Sequence, residues 1–267
     1  MTRPEVGLEI DGRGVATVTL NRPEVNNAYN GDMIAGLIEA VGHCGENPDV
    51  RVVVLRGAGR HFQAGADLSW LRGIGQESPE ENLAVSRRTA SAVRGLNDLD
   101  RPTVALVHGG CFGGGTGIVA ACDVVVASED AIFSITETRW GVMAGIIIPY
   151  LNVAMGARQV RRYALTCERF GAARAHALGL VHELCPTGGL DAAAAPIIDA
   201  LLMAAPDATV QTKQVTLEDA GLLLADDRFE ALVAQHAAKR QSAEAIEGLA
   251  SFAEKRKPAW YPGDGDD

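Results

Sequence analysis

Two short runs of β-branched residues set the limits on what this chain can become. Residues 50–55 (VRVVVL) and 103–107 (TVALV) read as short buried strands, and each leads into a cluster of small residues. The first cluster spans 56–68 and contains Ala64-Gly65-Ala66. The second spans 109–117 and contains Gly113-Gly114-Gly115. Without side chains in the way, a ligand can lie against the backbone at both places.

Around those strands the chain divides into two characters. Residues 15–20 (VATVTL) read as a strand after the turn Asp11-Gly12-Arg13-Gly14. A helix is expected over 30–45 with Asn30 as its cap, and another from Pro79 to about Leu99, stopped by Pro102. A short apolar helix follows the second glycine cluster, then strands at 123–127 and 131–135. Beyond Glu137 helices take over, at 149–155, 158–166, 172–178, 190–205, 207–224, 226–240 and 243–256. One short strand at 180–184 interrupts them. The polar end, 262–267, is expected to fray. This is an α/β chain with a helical last third.

The 267 residues fit one large domain, or one with a helical appendage; 1–200 reads as the core and 201–267 as the appendage. The hydrophobic fraction of 47% supplies a sizeable core, built from small aliphatics because aromatics make up only 5%. A net charge of −10 disfavours nucleic acid, and Arg158, Arg161 and Arg162, the densest basic cluster, read as a solvated helix face. No run reaches about 18 apolar residues, so no membrane span is expected. The first 25 residues carry Glu5, Glu9, Asp11 and Glu24 and show no signal peptide. The five cysteines form no CxxC and the histidines no zinc spacing. Reduced, buried thiols in a cytoplasmic protein without a metal are the expectation.

The two small-residue clusters also suit two main-chain N–H groups converging on one oxygen, with Gly114 near a helix N-terminus. Taken alone, glycine runs of this kind are usually ordinary turns. No Lys-Ser/Thr follows, so the triplet is not a phosphate loop. Gly115-x-Gly117-x-x-Ala120 mimics a dinucleotide fingerprint, but the helix is too short for a βαβ crossover. Glu137 alone is either an acid/base or a solvated or capping carboxylate.

Taken together, the segments resemble the enoyl-CoA hydratase/isomerase (crotonase) family. The motifs run in family order: Leu20-Asn21-Arg22-Pro23-Glu24-Val25-Asn26-Asn27-Ala28, Phe62-x-Ala64-Gly65-Ala66-Asp67-Leu68, Arg101-Pro102-Thr103-Val104-Ala105, the triple glycine, Ala121-Cys122-Asp123, and Phe252-x-x-Lys255-Arg256-Lys257-Pro258. The resemblance implies a spiral of ββα units with a C-terminal helical trimerisation region, in trimers or dimers of trimers. It implies an acyl-CoA thioester substrate, with CoA part of the substrate and no separate cofactor. Ala66 and Gly114 then supply the oxyanion amides. Val25, Ala64, Asp67 and Leu68 line the CoA site, and Phe252 and Lys255 touch its nucleotide end, from the same or a neighbouring subunit.

One departure matters. Family hydratases carry two glutamates; the second matches Glu137, but the first falls on Gly117. A bacterial subgroup resembling methylglutaconyl-CoA and isohexenylglutaconyl-CoA hydratases shares that glycine, and this chain looks most like it. Hydration of a 2-enoyl-CoA is the resulting expectation, with a branched glutaconyl-type ester as one substrate. Isomerisation of a 3-enoyl-CoA by Glu137 alone, or a non-catalytic CoA-ester-binding role, are the alternatives. Trp70, Gly117 and Arg139 are candidates for substrate selection. Arg139 would pair with a distal carboxylate or, equally, form a structural salt bridge.

Overall fold

The computed structural model describes residues 4–262. Residues 263–267 of the stretch expected to fray lie outside the described residues. Six strands make the main sheet, in the order β1 (Val6–Ile10), β2 (Val15–Leu20), β3 (Val52–Gly57), β4 (Thr103–Val107), β6 (Val124–Ser128) and β9 (Glu183–Cys185). Only β1 pairs antiparallel, through the expected turn, whose Asp11 carboxylate accepts from the Arg13 and Val15 amides. The other pairs are parallel.

Parallel strands are covered on both faces, which is why β3 and β4 are continuous apolar runs rather than alternating ones. Val53 and Leu55 face one core, Val52 and Val54 a second under α8 (Leu190–Met203). Each such fully buried side chain contributes about 1.5–3 kcal/mol relative to exposure.

A second sheet holds three very short strands, β5 (Gly110–Phe112), β7 (Ile132–Ser134) and β8 (Phe170–Gly171). The chain alternates between sheets: β4 then β5, a helix α4 (Gly114–Ala120), β6 then β7, later β8 then β9. That alternation is the expected spiral of ββα units. It also brings the ends of β4 and β5 beside the loop after β3.

Helix α1 (Gly31–Glu46) begins where Asn30 accepts from the Met33 amide at 2.9 Å. Such a cap is worth about 1 kcal/mol. Helix α3 (Pro79–Asp98) is capped by Ser78, with Pro79 in its first turn. Helix α2 (Leu68–Ile74) was not expected. Asp67 caps it, accepting from the amides of Ser69 and Trp70.

Helices α5 (Ile148–Met155), α6 (Ala157–Thr166) and α7 (Ala172–Ala177) follow, then α8 and α9 (Pro206–Asp219). Helix α9 stops short of the expected residue 224. Helix α10 (Asp226–Arg240) packs along α3, and α11 (Ala243–Ala253) on the turn at Glu137–Trp140. The helical end of the chain therefore covers the core at the site itself. Among the described residues no single helix is long and apolar enough to cross a membrane, and the five cysteines are buried free thiols.

Candidate active site

The two small-residue clusters lie side by side. Gln63 N–H donates to Gly110 O at 3.1 Å, and Phe112 N–H to Gln63 O at 2.9 Å. On the other edge, Tyr29 N–H donates to Gly65 O and Asp67 N–H to Tyr29 O. Successive peptides in extended backbone point to opposite edges, so the Ala66 N–H faces away from Tyr29. Among the described residues neither the Ala66 nor the Gly114 N–H has an acceptor. Gly114 opens α4, where leading amides have no intrahelical acceptor and the dipole favours negative charge.

Glycine is required in both loops for steric reasons. Gly113 has φ 52°, and a Cβ there would stand 3.3 Å from Glu137 Oε1. Gly65 has φ 86°, and a Cβ there would stand 3.1 Å from Phe112 O.

Glu137 follows β7 and starts a 3-10 turn that Gly141 closes at φ 69°. Its Oε2 is buried without a hydrogen-bond partner. Desolvation pushes its pKa up to about 7, against a smaller opposing effect of the Glu137 and Thr136 amides. A carboxyl poised near neutrality can give and take a proton in turn.

These groups share one cavity of about 390 Å³. Ala66, Gly114 and Glu137 line it together with Val25, Ala64, Asp67, Leu68 and Phe252. Asp67 is already engaged, capping α2 and lying 3.5 Å from the Arg22 guanidinium. Phe252 packs edge-on against Trp140, with ring centroids 4.8 Å apart, and lines the cavity of its own chain.

Residues 11–263 match the family described as enoyl-CoA hydratase/isomerase. The chain belongs to that family. Enoyl-CoA hydratase/isomerase family members act on acyl-CoA thioesters. A mevalonyl-coenzyme A hydratase of Aspergillus fumigatus is 33% identical over 256 residues, covering 93% of this chain and 92% of the relative. A peroxisomal Delta(3,5)-Delta(2,4)-dienoyl-CoA isomerase of Arabidopsis thaliana is 31% identical over 243 residues, covering 81% and 87%. The crystal structure of an enoyl-CoA hydratase from Mycobacterium avium superposes with a TM-score of 0.85 at 32% identity, covering 97% of this chain and 100% of that one.

Four expected site residues do not line the cavity. At Gly117 a Cβ would stand 2.1 Å from Ile147 Cγ2 and 2.5 Å from its Cβ. Ile147 therefore fills the space that a side chain at 117 would need. Arg139 is exposed on the 3-10 turn; among the described residues it has no salt-bridge partner, and it does not line the cavity. Trp70 packs edge-on against Tyr29, 6.1 Å between centroids, behind the wall. Lys255 is exposed beyond the end of α11.

Tyr29, Gln63, His236 and Arg240 are among the lining residues for which the sequence suggested no role. Tyr29 crowds Gly114, where a Cβ would stand 2.7 Å from Tyr29 Cε1. Burial first, and the Glu137 charge second, hold its phenol well above the ordinary range. Gln63 Oε1 is buried without a partner. Isolated polar residues of these kinds carry no motif signal.

Proposed function

We propose that the protein hydrates 2-enoyl-CoA thioesters. The thioester oxygen accepts from the N–H groups of Ala66 and Gly114. This draws electron density from the double bond and leaves Cβ electrophilic. Glu137 takes a proton from a water as its oxygen attacks Cβ, and the same carboxyl delivers a proton to Cα. One water is added and the carboxyl returns to its starting state. Each oxyanion donor is worth about 3–4 kcal/mol of barrier in comparable sites. CoA enters as part of the substrate.

The observation that carries this reading is the Glu137 carboxyl itself. It is the one cavity carboxylate among the described residues without an ion pair, and its Oε2 has no hydrogen-bond partner. It stands beside two amides that lack acceptors.

A second reading has a specific observation in its favour. Ile147 occupies the place of a second carboxylate. A 3,2-enoyl-CoA isomerase needs only one, which removes a proton from Cα and returns it to C4.

The test is a mass-resolved assay in oxygen-18 water with crotonyl-CoA. Label gained at Cβ supports hydration. No label, with a 3-enoyl-CoA converted to its 2-enoyl isomer, moves the assignment to the isomerase.

The trimer or paired trimer that the family resemblance implies is part of the same proposal. Met203, Leu165, Val215 and Val153 are more than half exposed and would be covered in such an assembly. Light scattering checks it.

A further inference from the structure

The cavity lining includes a buried charged group that the acid/base chemistry does not use. Arg240, the last residue of α10, is 2% exposed and lines the cavity. Its Nη1 donates to Asn82 Oδ1 at 2.9 Å. Its Nη2 lies 3.0 Å from Ser86 Oγ and 3.2 Å from His236 Nδ1. All three partners are neutral. Ser86 and Asn82 are themselves buried, and His236 is held neutral, its pKa lowered to about 3 by burial and by the Arg240 charge. Among the described residues Arg240 has no ion-pair partner, and its Nε is buried without any hydrogen-bond partner.

A guanidinium does not escape burial by losing its proton, so an unpaired one in an interior is costly unless an anion meets it. Among the described residues nothing packed against it supplies that anion. The titratable groups within its reach are His236 and Tyr29, both uncharged. Apart from Thr89, the lining that α1 and α3 supply is apolar: Met33, Ile34 and Leu37 of α1, and Ala92 and Val93 of α3. The reacting end lies along the same cavity, since Tyr29 lies within electrostatic reach of both Glu137 and Arg240.

We propose that Arg240, held by Asn82, Ser86 and His236, is the recognition site for a carboxylate at the far end of the acyl chain. The substrate class is then a CoA thioester of a dicarboxylic acid. The aliphatic part of the chain lies against α1 and α3, and its terminal carboxylate accepts from the free Nε–H of Arg240. This inference rests on the reading of the cavity as an acyl-CoA site. It does not depend on whether the reaction there is hydration or isomerisation.

Binding of unreactive saturated esters tests the subsite apart from catalysis. Glutaryl-, adipyl- and pimelyl-CoA are titrated calorimetrically against pentanoyl-, hexanoyl- and heptanoyl-CoA, which match them in length and lack the carboxylate. The expected result is at least one dicarboxylic ester bound about 10-fold or more tighter than its neutral counterpart. In Arg240→Gln that ratio falls toward one, and Arg240→Lys, which keeps the charge, retains part of it. Equal affinities at every length in the wild type would overturn the proposal, whether or not the variants fold. So would a preference that survives intact in Arg240→Gln. A carboxylate preference without oxygen-18 incorporation would leave the subsite standing and remove the hydratase reading alone.

Discussion

The two ends of the cavity hold opposite kinds of buried ionisable group. At one end Glu137 is an acid with an unpartnered oxygen; at the other Arg240 is a base with an unpartnered nitrogen. Their responses to burial differ. A carboxyl can neutralise itself, and desolvation moves the Glu137 pKa to about 7, into the range where it exchanges protons at ordinary pH. A guanidinium stays charged, so burial turns Arg240 into a demand for an anion. The same desolvation therefore makes a proton carrier at one end and a ligand site at the other.

The largest expected effect breaks the first half of that comparison. Glu137→Gln keeps the shape and removes the acid, and is predicted to lower kcat by about 100- to 10,000-fold while CoA-ester binding survives. Steady-state kinetics with a binding titration checks it; undiminished turnover would show that Glu137 is not the acid/base.

The same variant has a stability signature. The pKa rises from 4.5 unfolded to about 7 folded, so the protonated form is the favoured one in the fold. That contribution is full below pH about 4.5 and is lost as pH rises through about 7. Glu137→Gln should exceed the wild type above pH 7 by up to about 3 kcal/mol, the gap closing below pH about 4.5. Denaturant midpoints across pH decide this.

Next in size is the filled space at Gly117. Gly117→Ala is expected to destabilise by about 1–3 kcal/mol, because its Cβ collides with Ile147. Helix propensity alone predicts a gain of about 1 kcal/mol instead, so the sign is diagnostic. Ile147→Ala in the same chain should relieve part of the cost, read as coupling in a double-mutant cycle.

The smallest effect sharpens the Arg240 end. Ser86→Ala should cost about 1 kcal/mol of stability and weaken any dicarboxylate preference a few-fold, since Arg240 loses one of its supports. Chemical denaturation and the ester titrations measure the two parts.

The ends also differ in how far the sequence reveals them. Ala66, Gly114 and Glu137 sit in contiguous motifs, where small residues or a flanking strand mark the place. Strands β3 and β4 and the Asn30 cap were legible for the same reason: local pattern sets them. Strands β5 and β8 have three and two residues, too few to show a period. Arg240 follows Lys239 in the last turn of a helix, where basic residues ordinarily offset the dipole in solvent. Its partners Asn82 and Ser86 stand 158 and 154 residues away in sequence. Only the packing of α10 along α3 buries it. Arg139 was the opposite case: its place inside a motif suggested a role, and the 3-10 turn leaves it in solvent.

The most direct test of the central claim, that one desolvated carboxyl moves the protons, is the pH profile of kcat/KM for crotonyl-CoA hydration between pH 5 and 9. The base must be ionised in the free enzyme. The account predicts activity rising with pH through a single ionisation near about 7 and then levelling. A profile already flat at its maximum from pH 5 upward would contradict it, because a carboxyl with an ordinary pKa, or another group altogether, would then be doing the work.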